Sequence, residues 1–302
     1  MTASLAIIGH ADEPRAPRSA REALAKPPTF PRETVEVFFT DARRALGPKP
    51  DPVTTSVPST PSTAAVTGGG QHAWQRVVSA DVLEDEIKLL AAEVAAETRS
   101  ASSFKSTGHK RLRSIFGTLA ATFSVIGQFD GQVRWQAEAP GMRDLCARAA
   151  RNLKAASDAT LRESRSRGDD LAALIRGQSV ELPDADAETP LGELIDRRGL
   201  MSRMEMSERD RLRPWLASQD EFVANRDQVA HEAAMLRLLA DLVQEAGFEY
   251  ADDETFREYA DHFGAQCRQL LEATEAGDYE KARAAFSAVS QSCDNCHGDF
   301  RG

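Results

Sequence analysis

The sequence predicts an all-α chain: two successive helical bundles behind a proline-rich N-terminal segment. Three observations carry this. From about Ala73 onward, apolar residues recur at spacings of three and four, the period of an amphipathic helix. Ten of the fourteen prolines fall between Pro14 and Pro61 and none follows Pro214, so the chain beyond it is free of the residue that breaks helices. A linker, "SVELPDADAE", divides the helical part near its middle.

The first eleven residues, "MTASLAIIGHA", set a short apolar stretch before Gly9 and Ala11 at small-x-small spacing, with "DEPR" after them. That pattern reads as the end of a secretory signal whose charged start is missing; an unstructured N-terminus is the other reading. Residues 12–76 are rich in Pro, Ser and Thr and read as linker, because they bury too little apolar surface to offset the entropy of ordering. One short helix is expected inside it, with Val35, Phe38, Phe39 and Ala42 on one face.

Residues 77–180 form the first bundle. Leu83, Ile87, Leu90 and Val94 make one helical stripe, and Leu112, Ile115, Leu119, Phe123 and Ile126 make a second. Pro140 opens a third helix with Leu145, Ala149 and Leu153. A weaker fourth ends at "DDLAALIRG", stopped by Gly177.

Residues 189–302 form the second bundle. Thr189 as N-cap and Pro190 at the first position start its first helix, which runs through the methionine-rich "GLMSRMEMSERDRL" towards Pro214. Val229, Ala233, Leu236, Leu239 and Val243 mark the second helix, which stops near Gly247. The third runs from about Asp253 to Thr274, and the last from Asp278 almost to the end. The third helices carry Cys146 and Cys267, each followed by an Asp at nearly equal distance. The bundles therefore read as a degenerate repeat, although helical sequences produce such matches cheaply.

The net charge of −10 is uneven. From Gln219 to the end there are eighteen Asp or Glu against seven Lys or Arg. Such a segment argues against nucleic acid and for a cationic or neutral partner, or else is simply a solvated surface. No run of eighteen apolar residues is present to span a membrane. Neither paired carboxylates nor a nucleophile–base arrangement stands out, so no enzyme is expected.

The last helix carries the chemistry. Tyr279, Ala282, Phe286, Val289, Cys293, Cys296 and Phe300 are spaced alternately three and four, the seam of a helix packed inside a bundle. Both cysteines of "CDNCH" lie on that seam, with His297 one turn after Cys293. Zinc would want four ligands, usually from two such pairs, and the remaining Cys and His residues show no partner spacing. A redox dithiol normally opens a helix after a strand, and this pair closes one. Covalent attachment of a c-type haem fits: two thioethers, with the adjacent imidazole on iron.

The stretch "GDYEKARAAFSAVSQSCDNCHGDFR" resembles the last helix of cytochrome c′, a four-helix-bundle protein with its haem motif at the same place. In that family an aromatic and a basic residue follow the histidine by three and four positions, matched here by Phe300 and Arg301. The resemblance extends loosely back to about Leu191 and does not reach residues 1–180. It implies one haem c held by Cys293 and Cys296, with His297 on iron and Arg301 near a propionate or the imidazole.

The family divides at the sixth iron position. Typical members place an apolar residue there and bind small gases; low-spin relatives place a methionine there and transfer electrons. In both, an arginine precedes that residue by one turn. In "DRRGLMSRMEM", Arg197 and Met201 have this spacing, with Met204 as substitute. The resemblance therefore implies electron transfer with His297 and Met201 on iron, the alternative being a five-coordinate protein that binds NO or CO. It also implies export, to the periplasm or beyond, where such haem attachment takes place, and a redox protein partner. Because cytochromes c′ commonly dimerise, the first bundle is expected to stand in for a second subunit by pairing intramolecularly. His231 reads as a surface or capping residue, His262 as a residue that could approach a haem edge. Cys146 and Cys267 read as buried apolar residues, Trp135 and Trp215 as core residues.

Overall fold

The first α-helix starts where Ser79, in extended conformation, turns its hydroxyl to accept the Val82 N–H at 3.4 Å. The computed structural model describes residues 73–186 and 188–300. The expected signal end, the helix around Phe38 and Arg301 lie outside the described residues.

Helix α1 (Ala80–Glu97) buries Leu83, Ile87, Leu90 and Val94. A π turn over Phe104–Gly108 leads into α2 (His109–Gly127), which buries the whole predicted stripe from Leu112 to Ile126. Helix α3 (Ala139–Asn152) has Pro140 in its first turn, and α4 (Asp158–Ile175) opens with a capping box between Ser157 and Thr160. Gly177, at φ +73°, takes the left-handed conformation that ends α4. Trp135 is buried, its indole N–H donating to the Leu174 carbonyl at 3.2 Å.

The second set comprises α5 (Arg197–Met206), continued by a π segment over Ser207–Leu212, then α6 (Arg226–Leu242), α7 (Glu254–Glu275) and α8 (Tyr279–Phe300). The all-α class holds throughout: no strand occurs among the described residues. Pro190, not Thr189, occupies the cap position, and it starts only a single turn, Leu191–Leu194, before the chain is extended again at Ile195. The true cap of α5 is Asp196, whose Oδ1 accepts the Gly199 N–H at 3.3 Å. The break has a packing cause. Gly192 lies against the backbone of Gly247 so closely that a Cβ there would fall 2.1 Å from the Gly247 carbonyl carbon. Its N–H donates to Ala246, so the turn is tied to the loop after α6 instead of extending the helix.

The most extensive pairings are α2 with α3, α6 with α7 and α7 with α8. Helix α5 lies on α2 of the first bundle as well as on α6 of its own. Glycines allow the approach: a Cβ on Gly117 would meet the Gly199 Cα at 4.0 Å. One apolar core runs through both sets of helices. Each fully buried Leu or Phe in it contributes about 1.5–3 kcal/mol.

Candidate functional site

Helix α8 buries Ala282, Phe286 and Val289, and its seam continues into Cys293 and Cys296, which are half-buried. His297 is on the exposed side of the same turn. Burial pushes the Cys293 thiol up to about 12, Glu208 and Asp294 adding to the effect. The Cys296 thiol is raised as well, by burial, with the Arg197 charge opposing. Both sulfurs therefore hold their protons at neutral pH.

The stretch from Arg197 to Glu208, α5 and the start of its π segment, is antiparallel to this part of α8, as one hydrogen bond and one shared pair of rings indicate. At one end, the Ser290 hydroxyl of α8 donates to Glu208 at 2.8 Å. At the other, Arg197 and Phe300 share the same rings. The Arg197 guanidinium stands 5.2 Å from the Tyr250 ring centre and 5.1 Å from that of Phe256. Phe300 meets those rings edge-on at 5.2 and 5.4 Å. The Arg197 Nη1 donates to the Glu249 carbonyl at 2.6 Å, which fixes the start of α5. Between Arg197 and Glu208 on this face lie Met201, half-buried, and Met204, buried. Both methionines thus share, by their spacing, the helical side of Arg197 and Glu208.

The opposite side of α5 is ionic. Arg203 is buried and donates in bidentate fashion to Glu86 of α1, at 2.9 and 3.0 Å, and to Glu232 of α6, at 2.7 and 3.2 Å. The Ser207 hydroxyl donates to Glu232 at 2.7 Å, and Arg211 joins Glu232 to Glu93 of α1. Burial alone would raise the Glu86 carboxyl, but Arg203 and His231 outweigh it and hold it well below the usual carboxylate range. Glu232 is lowered in the same way, burial opposing and Arg203 prevailing. Glu93 is raised, because burial there exceeds the pull of Arg211.

One sequence expectation changes here. His231 is no free surface residue: its Nε2 lies 2.9 Å from Glu86. His262 is exposed. Cys146 and Cys267 are buried, as the sequence reading has them, and are free thiols with no bridge between them. Sequence reasoning missed Tyr250, Tyr259 and Glu208. Tyr250 has φ +64° and Tyr259 donates to Asp299 at 2.7 Å, and neither position carries a local signal.

The donor set fits a haem c: two thiols one helical turn apart, on the packed side of α8, with an imidazole on the adjacent position and a thioether-bearing helix alongside. Residues 197–301 match the family model described as Cytochrome C'. The C-terminal bundle is cytochrome c′-like. That likeness implies a covalently bound haem c in this bundle and does not extend to the first one. No curated protein and no solved structure matches the chain. Among the described residues, no helix of the cytochrome c′-like bundle or its neighbour is long and apolar enough to cross a membrane.

Proposed function

We propose that the chain is a monohaem c-type cytochrome that transfers electrons, whose iron His297 and Met201 would bind. The observation that supports this most is the register of α5 on α8: Arg197 stands at the Cys296–Phe300 end and Glu208 at Ser290, which sets Met201 between them. Cys293 and Cys296 would hold the group by thioethers. Haem, when bound, supplies one-electron chemistry at a potential that a thioether ligand raises. The residues do the rest. Arg197 is oriented by Glu249 and two rings to offer its charge beside the motif, while Phe300 closes that end against Tyr250, Phe256 and Tyr259. No catalytic role is assigned.

A second reading has one observation in its favour. Met201 is packed against the apolar core, and a methionine that stays there leaves an open position for NO or CO. Ferric and ferrous absorption spectra with and without carbon monoxide decide between them. Low-spin bands unmoved by the gas support electron transfer; a high-spin spectrum that shifts readily moves the protein to the gas-binding class. A purified chain without covalent haem sinks both.

The export of the protein and a redox protein partner belong to the same reading. So does the role of the first bundle as an internal substitute for a second subunit, since it covers α5. This predicts a monomer in light scattering, and a stable homodimer formed through α5 overturns it.

A further inference from the structure

Helix α5 has two working sides. By their spacing Arg197, Met201, Met204 and Glu208 share one side, whose Glu208 end bonds Ser290 of α8, whereas Gly199, Arg203 and Ser207 are turned to the first bundle and α6. Arg203 cannot turn without losing its partners. It is 2% exposed, and its planar fork meets two carboxylates that are 0% and 2% exposed, one on α1 and one on α6. Met201 and Met204 differ by about 60° around the helix axis. A rotation of α5 by that angle would exchange one for the other, and the fork of Arg203 opposes it.

We propose that Glu86, a residue of the first bundle, is a positioning residue for the haem site of the second. Held against Arg203 and opposed by Glu232, it fixes the rotation of α5 and so selects which methionine is presented towards the motif. The inference rests on the haem reading above and on no particular ligand: loosened, α5 presents a mixture of side chains whether the wild-type site is closed or open. Buried ion pairs specify one arrangement among near-equal alternatives in other systems, and the use suits this position. The first bundle then contributes directly to the properties of a group it does not hold.

The test compares full-length holoprotein of wild type, Glu86→Gln and Arg203→Lys, the last keeping the charge while losing the fork. Leu171→Ala, in the buried side of α4 away from α5, serves as a control for lowered stability alone. Spectra, reduction potential and carbon monoxide affinity are read. With a methionine on iron in the wild type, both clamp variants should gain carbon monoxide affinity about tenfold, as the open fraction of sites rises. With an open wild-type site, the affinity should shift by a similar factor in either direction. Leu171→Ala should leave all three readings unmoved. Affinity within about twofold of wild type in a folded clamp variant, with spectrum and potential unchanged, overturns the proposal. A shift in Leu171→Ala equal to theirs also overturns it. Wild-type protein that carries no haem defeats the underlying reading instead. If Glu86→Gln does not fold, Arg203→Lys decides.

Discussion

Arg203 and Glu86 hold one another through two parallel hydrogen bonds of 2.9 and 3.0 Å, with almost none of either side chain reaching water. They come from different bundles, so the contact is structural for both. Such a pair adds little net stability against an apolar substitute, because desolvating two ions costs nearly what their attraction returns. Removing one member is different, since the other stays buried and short of a partner.

Glu86→Ala is therefore expected to destabilise the protein by roughly 3–5 kcal/mol. Denaturant unfolding of the full chain measures it. A loss under about 1 kcal/mol, the range of exposed pairs, would show that Arg203 finds another partner or water.

The same network predicts acid lability. Glu86 and Glu232 are held below the usual carboxylate range, so the stability they contribute is present above their unfolded pKa near 4.5 and is lost as pH falls below it. Glu93, raised by burial, acts oppositely: its contribution is present at low pH and declines as pH rises. Two lowered groups against one raised group give a net fall in stability towards acid. Unfolding free energy measured from pH 7 to pH 3 should drop, and more shallowly in Glu86→Gln. An equal slope in the variant would place the acid sensitivity elsewhere.

Much of this was legible beforehand, and the reasons for the gaps are physical. The stripes of α1, α2, α6 and α8 follow from spacing, because burial on one side of a helix dictates a period. The cysteine motif is local and reads directly. The start of α5 does not, since the contact that breaks it, Gly192 on Gly247, joins residues far apart in sequence. Glu86 left a trace: it interrupts the apolar side formed by Leu83, Ile87 and Leu90, where a carboxylate needs a buried partner. Nothing in the sequence indicated that this partner lay across the linker. Tyr250 owes its role to Arg197 and Phe300, and has no pattern of its own.

Charge should show in partner kinetics. Asp294 lies within the motif and Asp299 two residues after it; both are exposed, in a segment from Gln219 onward that is strongly acidic. Reduction by an electropositive redox protein should slow as salt rises, since exposed charges are screened over about 8 Å at physiological ionic strength. Stopped-flow rates that do not change with salt would remove the acidic surface from the account.

The ligand assignment rests on two methionines close together on one helix face, and single substitutions separate them. In Met201→Ala the expected result is a ferrous site that takes up carbon monoxide readily, with a lower reduction potential, because a thioether on iron raises it. Met204→Ala should do neither, as Met204 is the more buried of the two and fills the core beside α5. Its loss is expected to appear as instability of about 2–5 kcal/mol instead. The reverse pattern, with carbon monoxide uptake in Met204→Ala alone, assigns the position to Met204 and means α5 is rotated by a fraction of a turn in the holoprotein. Uptake by the unmodified protein, unaltered in both variants, leaves neither methionine on iron.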